Sequence, residues 1–181
     1  MKWAHIWKWA HIWSSAIATT ACVITVMSVV AGGADEEASP IFGVKIPAGY
    51  RDWQMISVAH EAGSLNDLRA VLGNDIAIKA YRDGTRPFPD GAIIARLAWK
   101  YVPSDENNAI FGQIQSFVPG PATNTQFSVK DSKKYADTGG WGYGQFEDGK
   151  ANRSEALMQT CFACHARGNK ADDFVFTHYT P

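Results

Sequence analysis

Glycine and proline interrupt this chain throughout its length and limit the folds that it can adopt. The 181 residues include 16 Gly and 8 Pro, and both residue types disfavour helix interiors, so four long helices have no room. The segments between them are rich in β-branched and aromatic residues, which favour strands. We therefore expect an α+β domain, mainly β, in which an antiparallel sheet carries a few short helices.

Local patterns predict the elements of this domain. Ser64 is placed to cap a helix over residues 65–72, and a second helix is expected over residues 153–167. Asp-Gly pairs at 83–84 and 90–91 predict chain reversals. Six segments have the composition of strands, at residues 53–59, 92–101, 110–118, 126–129, 141–146 and 174–179.

The amino-terminal segment differs from the rest of the chain. Two lysines precede a run without charged residues over 12–34, after which the chain becomes acidic. This order is typical of secretion, so we expect residues 1–34 to be a signal peptide and the protein to be periplasmic. If it is not cleaved, the run is long enough to anchor the protein in a membrane. Residues 35–47 would form a lead-in arm and residues 48–181 the domain. The formal net charge of −1 gives no indication of nucleic-acid binding.

One short motif carries recognisable chemistry. Cys161-Phe162-Ala163-Cys164-His165 fits C-x-x-C-H, the attachment motif for c-type haem. Two thiols one helical turn apart can add to the vinyl groups of one porphyrin, and the adjacent imidazole can bind the iron. A disulfide at this spacing is strained, a thioredoxin-type pair expects a βαβ setting, and zinc needs further ligands. We therefore expect one covalent haem c bound by Cys161 and Cys164, with His165 on the iron.

The position of the motif in the chain excludes two common classes of cytochrome. The motif ends at His165, close to the carboxyl terminus, and no methionine follows it. Common electron-transfer cytochromes have the motif near the amino terminus and a Met ligand further along the chain. This sequence has no Met after the motif, so that arrangement is impossible here. Four-helix cytochromes c′ have a late motif, but the β-rich pattern excludes that bundle. The sequence therefore predicts a sheet domain with a carboxyl-terminal haem helix and an open distal site.

Together these features resemble the cytochrome P-460 family, which includes the cytochromes c′-beta. The resemblance covers about residues 48–181 and implies a mainly antiparallel sheet, a homodimer and a five-coordinate haem with a proximal histidine. Members bind nitric oxide, and the P-460 enzymes oxidise hydroxylamine. The resemblance rests on Tyr50-Arg51-x-Trp53, Phe88-x-Asp90-Gly91, the segment 128–133, Trp141, the haem motif and Val175-Phe176-Thr177.

One departure from the family pattern concerns Arg96. In the P-460 enzymes a lysine at the matching position is cross-linked to the haem ring, whereas a guanidinium stays protonated and is a poor nucleophile. This weakens the prediction of hydroxylamine oxidation and favours a haem without the cross-link, as in the c′-beta type. Arg96 would then point into the distal cavity and donate to bound dioxygen, peroxide or nitric oxide, or pair with a haem propionate or a surface carboxylate.

Each of the other candidate site residues has a functional and a structural interpretation. Phe88 would cap the distal face or belong to the core. His60 would be a sixth ligand or proton donor, or a solvated loop residue. Trp141 would pack on the haem edge or in the core. The mixed charges at residues 130–134 are typical of a solvated surface.

Three functions remain open at the level of sequence. The first is a periplasmic haem protein whose open iron binds or oxidises hydroxylamine, nitric oxide or peroxide, with another cytochrome as redox partner. The second is an electron-transfer cytochrome with six-coordinate haem. The third is a nitric oxide binder or sensor without turnover.

Overall fold

A single antiparallel sheet forms the centre of the structure, a computed structural model that describes residues 37–168 and 170–180. Each strand pairs with its neighbour in sequence, in the order β1 to β6. The strands are β1 (Gln54–Glu61), β2 (Asp67–Gly73), β3 (Ile93–Pro103), β4 (Phe117–Lys130), β5 (Trp141–Glu147) and β6 (Lys150–Ala151). The expected α+β, mainly β, class is therefore confirmed.

Three short helices accompany the sheet: α1 (Asp75–Asp83), α2 (Asp105–Phe111) and α3 (Glu155–His165). Side-chain caps start each of them, and in α3 the Ser154 hydroxyl accepts the Leu157 N–H. The expected carboxyl-terminal helix is thus confirmed. None of the helices in the described part of the chain is long and apolar enough to cross a membrane. The predicted signal peptide lies outside the described residues.

The helix predicted over residues 65–72 is wrong, because most of this segment is strand β2. All seven β2 residues have register partners on both β1 and β3. Ser64 lies in the hairpin turn between β1 and β2, where Gly63 and Asn66 have positive φ angles. Pairing on both sides of the strand overrides the local capping pattern that favoured a helix.

Two further expectations need correction. The strand predicted over 110–118 is wrong, since helix α2 ends at Phe111 and β4 begins at Phe117. Residues 174–179 are not part of the sheet, since Phe174 lies in a turn and residues 175–179 have no regular secondary structure. The pair 83–84 ends helix α1, and Gly84 has the positive φ angle that the Asp-Gly pattern favours. Strands at 53–59, 92–101 and 141–146 are confirmed with small shifts of their ends, and 126–129 is the end of the longer β4.

The two faces of the sheet are covered by different parts of the chain. Arg96, Gln126 and Gln145 are successive register partners and therefore project from one face. Helix α3 lies over this face, where the Tyr143 ring contacts His165. We call this the helix-side face. The opposite face is covered by the amino-terminal segment, which places Tyr50 against Phe127 and Val44 against Gly144.

Candidate functional site

Helix α3 positions the haem motif over the sheet. Its Met158 side chain is fully buried and fixes the helix to the core. Cys161 lies about one turn later and is partly buried, while Cys164 lies a further turn on and is exposed; both are free thiols. Because residues three apart lie on one side of a helix, the two thiols face the same space.

That space is a cavity of about 200 Å³ between α3 and the helix-side face. Both thiols and His165 line it from the helix. Opposite them, β4 and β5 supply a mixture of amide, hydroxyl and aromatic groups. The lining residues are Gln126, Phe127, Ser128, Tyr143, Gly144, Gln145, Leu157, Thr160, Cys161, Cys164 and His165. A wider, more open depression of about 880 Å³ lies on the other side of Phe162 and contains neither thiol.

The His165 ring has a defined orientation. Its Nδ1–H donates to the Phe174 carbonyl at 2.9 Å, and a carbonyl can only accept, so Nε2 has the free lone pair. The ring contacts Tyr143 and Phe176, with centroid distances of 4.9 and 4.8 Å. Burial lowers the pKa of His165, and the bond to the Phe174 carbonyl opposes that shift. The imidazole is thus presented as a neutral ligand through Nε2.

Tyr143 contributes an unpaired donor to the cavity. Its hydroxyl is buried and has no hydrogen-bond partner among the described residues. Burial raises the pKa of Tyr143, and the nearby Cys161 thiol raises it further. The phenol therefore stays protonated at neutral pH, and its O–H is available to an acceptor in the cavity.

Arg96 lies on the helix-side face, directly across from the cavity residue Gln126. Its Nη2 donates to the Asn124 side chain, whereas its Nε is buried and has no hydrogen-bond partner within the described part of the chain. Nearby Asp67 pairs with Arg69 instead. Burial, and to a lesser extent repulsion from Arg69, lower the pKa of Arg96 to about 10. The guanidinium thus remains charged at neutral pH.

An amide ladder joins β4 to β5 on the same face as Arg96. The Gln126 amide N–H donates to Gln145 at 2.6 Å, and the Gln145 amide N–H donates to Glu147 at 2.9 Å. Gln126 and Gln145 form the polar floor of the cavity. The floor therefore favours ligands or substituents that exchange hydrogen bonds.

Two other sequence candidates do not reach the cavity. Phe88 is 2% exposed, lies in the core between Tyr81 and Trp141, and borders only the wider depression. His60 is exposed, stacks on Tyr101 and pairs in register with Leu68, on the face opposite Arg96. The structure thus brings Arg96 to the motif's side of the sheet, but not Phe88 or His60 to the cavity.

Sequence reasoning missed a buried ion pair beside the motif. Lys130, expected on a solvated surface with its neighbours, is only 4% exposed and pairs with buried Asp173 at 2.8 Å. Its Nζ also donates to the Gly139 carbonyl and lies 5.0 Å from the Trp141 ring centre. The available signal was the alternation along β4, which places Lys130 on the same face as Ser128.

These groups fit a covalently held porphyrin. Two free thiols and an imidazole with an available Nε2 line one cavity. The unpaired Tyr143 hydroxyl and Arg96 Nε are further donors on the same sheet face. Within residues 37–168 and 170–180, no group of three or more His, Cys, Asp or Glu side chains is placed to hold a metal ion, so the zinc alternative gains no support.

The antiparallel sheet, the carboxyl-terminal helix and this donor set define the class of the molecule, a c-type haem protein. A family model described as Cytochrome P460 matches residues 47–177, well over half of the chain, including the whole sheet and α3. The chain therefore belongs to the cytochrome P460 family, and the suspected resemblance is confirmed. A comparison with curated protein sequences finds no significant match.

Proposed function

We propose that the protein carries one haem c, attached through thioether bonds to Cys161 and Cys164 and ligated by Nε2 of His165, with the other axial position open to small nitrogen or oxygen species. The composition of the cavity supports this proposal. Apart from His165, its described lining includes no imidazole, thioether or amine side chain. Burial raises the pKa of the Tyr143 phenol, and its ring packs against His165, the proposed ligand on the other axial position.

The chain's own groups would set the properties of such a site. When bound, the haem supplies an iron centre that takes small ligands and exchanges electrons. The Phe174 carbonyl fixes the His165 tautomer and strengthens the imidazole as a donor. Contacts with Tyr143 and Phe176 restrict the orientation of the ring.

Arg96 is the polar group that we assign to the distal side. Its buried Nε without a partner supports a role as donor to an acceptor near the haem, either a bound ligand or a propionate oxygen. An arginine here gives no nucleophile for a ring cross-link. Arg96 thereby favours ligand binding over hydroxylamine oxidation of the P-460 type. The positions of Phe88 and His60 give no support to a distal role.

The test uses the chain produced with haem-attachment machinery. We expect the mass of one covalent haem, a ferrous band at the ordinary c-type position, and high-spin ferric iron by paramagnetic resonance. Nitric oxide and hydroxylamine should bind rapidly in stopped-flow mixing. A low-spin iron with two axial ligands, reacting slowly with both, would indicate the electron-transfer alternative. Steady oxidation of hydroxylamine with an electron acceptor would separate an enzyme from a non-catalytic binder.

We further propose a periplasmic location, another cytochrome as redox partner and a homodimer. Export is supported by the amino-terminal sequence pattern. The dimer is supported by an exposed apolar surface. We call residues 101–119, where the end of β3, helix α2 and the start of β4 extend beyond β2, the apolar arm. Large apolar side chains of this arm face solvent. Ile110 and Ile114 there are 76% and 77% exposed, and Phe111 and Phe117 are also exposed. An apolar patch of this kind is typical of a protein interface.

A further inference from the structure

The buried Lys130–Asp173 pair has more hydrogen bonds than a simple ion pair needs. The Asp173 carboxylate accepts from Lys130 Nζ at 2.8 Å and from the Phe88 N–H at 2.9 Å. The Asp173 carbonyl accepts from the Trp141 indole N–H at 2.9 Å. Both charged groups therefore have hydrogen-bond partners. The Asp173 side chain binds β4 and the segment before β3, and the Asp173 carbonyl binds β5.

The fixed residue begins an unusual turn. Asp173 and Phe174 have φ angles of 54° and 62°, the left-handed region that costs a non-glycine residue about 1–2 kcal/mol. Two such residues in succession do not persist without an external anchor. The ion pair and the indole bond supply that anchor.

The turn leads directly to the axial histidine. The Phe174 carbonyl accepts the His165 Nδ1–H, and the Phe174 ring packs edge-on against Phe162 of α3 at 5.6 Å. Two residues further on, Phe176 stacks on the His165 ring. The direction of the carbonyl therefore depends on the backbone angles that Asp173 holds.

We infer that Lys130 and Asp173 are positioning residues for the axial histidine, acting through the Asp173–Phe174 turn to hold the carbonyl that accepts its Nδ1–H. This inference rests on the proposed ligation by His165. A carbonyl bond to Nδ1 increases electron donation from the imidazole to iron and favours the ferric state. Loosening the turn weakens that bond and raises the reduction potential.

The experiment compares haem-loaded variants by redox titration and resonance Raman spectroscopy. In Lys130→Met/Asp173→Asn both charges are removed, so no unpaired buried charge remains. We expect its potential to rise and its ferrous iron–histidine stretch to fall in frequency, while its haem content is unchanged. The single variant Lys130→Arg retains the charge, so its reduction potential and stretch frequency should lie closer to those of the wild type than those of the double variant do. The control is Lys79→Met, which breaks the exposed Lys79–Asp83 pair on α1.

The outcomes separate this inference from the function on which it rests. If the double variant is fully loaded with haem but matches Lys79→Met in potential and stretch frequency, the pair stabilises the fold without positioning the histidine. If the double variant does not fold, Asp173→Glu, which keeps both charges but changes the distance from the carboxylate to the backbone by one methylene, gives the same decision by the same two readouts. If the wild-type chain shows no covalent haem, the proposed function itself fails.

Discussion

Arg96 combines a buried charge with an unsatisfied hydrogen-bond donor. A guanidinium that is desolvated without a carboxylate partner is unfavourable for folding, so its presence indicates a use in the loaded protein. Its position across from Gln126 directs that use toward the cavity. The choice between a bound ligand and a propionate can be made by kinetics.

For Arg96→Gln we expect faster dissociation of a hydrogen-bonded iron ligand. Losing a charged hydrogen bond costs about 1.5–3 kcal/mol, which is roughly a tenfold or greater increase in the dissociation rate. Displacement of the bound ligand in a stopped-flow experiment measures this dissociation rate. Arg51→Gln is the matched control, since Arg51 is exposed beside Tyr50, which packs on the opposite face of the sheet. An unchanged rate together with a shifted reduction potential would assign Arg96 to a propionate.

Two lysines of one charge run have opposite environments. Lys130→Met leaves Asp173 as an unpaired buried charge, so we expect a loss of about 3–5 kcal/mol in the free energy of unfolding. Lys133 is exposed, so Lys133→Met should change it by less than about 0.5 kcal/mol. Urea denaturation of both variants measures the difference. Equal effects would contradict the assigned burial of Lys130.

At the scale of elements, the sequence predicted what local patterns determine and missed what pairing determines. The Asp-Gly and Gly-rich turns and strands such as β3 follow from composition. The capping pattern at Ser64 is a local signal that favours a helix over β2, whereas the pairing of β2 with β3 joins residues that are far apart in sequence. Lys130 was placed on the surface for the same reason, since its partner Asp173 is far away in sequence.

The apolar arm makes a prediction about assembly. If the tip of the arm lies in a dimer interface, Ile114→Glu buries a charge there and should shift the protein toward monomer. Light scattering coupled to gel filtration measures the mass in solution. The control is Ile76→Glu on α1, which also alters a partly exposed isoleucine but lies outside the arm. Monomeric wild-type protein, or dissociation by both variants, would contradict this interface.

At the scale of the whole molecule, the motif was the most predictable part of the site and the sheet beside it the least. C-x-x-C-H is a covalent requirement with fixed spacing, so it can be read without a structure. Tyr143 and the amide ladder become neighbours of the motif only when β4 and β5 fold against α3. Their contribution depends on register, which one sequence does not display.

Removal of the haem should affect the molecule unevenly. Only Met158 of α3 is fully buried, whereas β3 pairs along most of its length with both neighbours. In Cys161→Ser/Cys164→Ser we therefore expect hydrogen exchange to accelerate strongly in α3 and little in β3. Exchange with mass-spectrometric detection measures both segments at once. Equal protection of α3 with and without haem would show that the helix is held by protein contacts alone.

The strictly sequential order of the strands has a consequence for biogenesis. Every strand pairs with the one made just before it, and the pairing between strands uses no residue beyond Ala151. During synthesis the pairing of the strands can therefore be complete while the two cysteines are still emerging. The enzymes that attach the porphyrin would then act on a paired sheet and an unpacked carboxyl-terminal segment. The packing of Phe174 and Phe176 against α3 would come last.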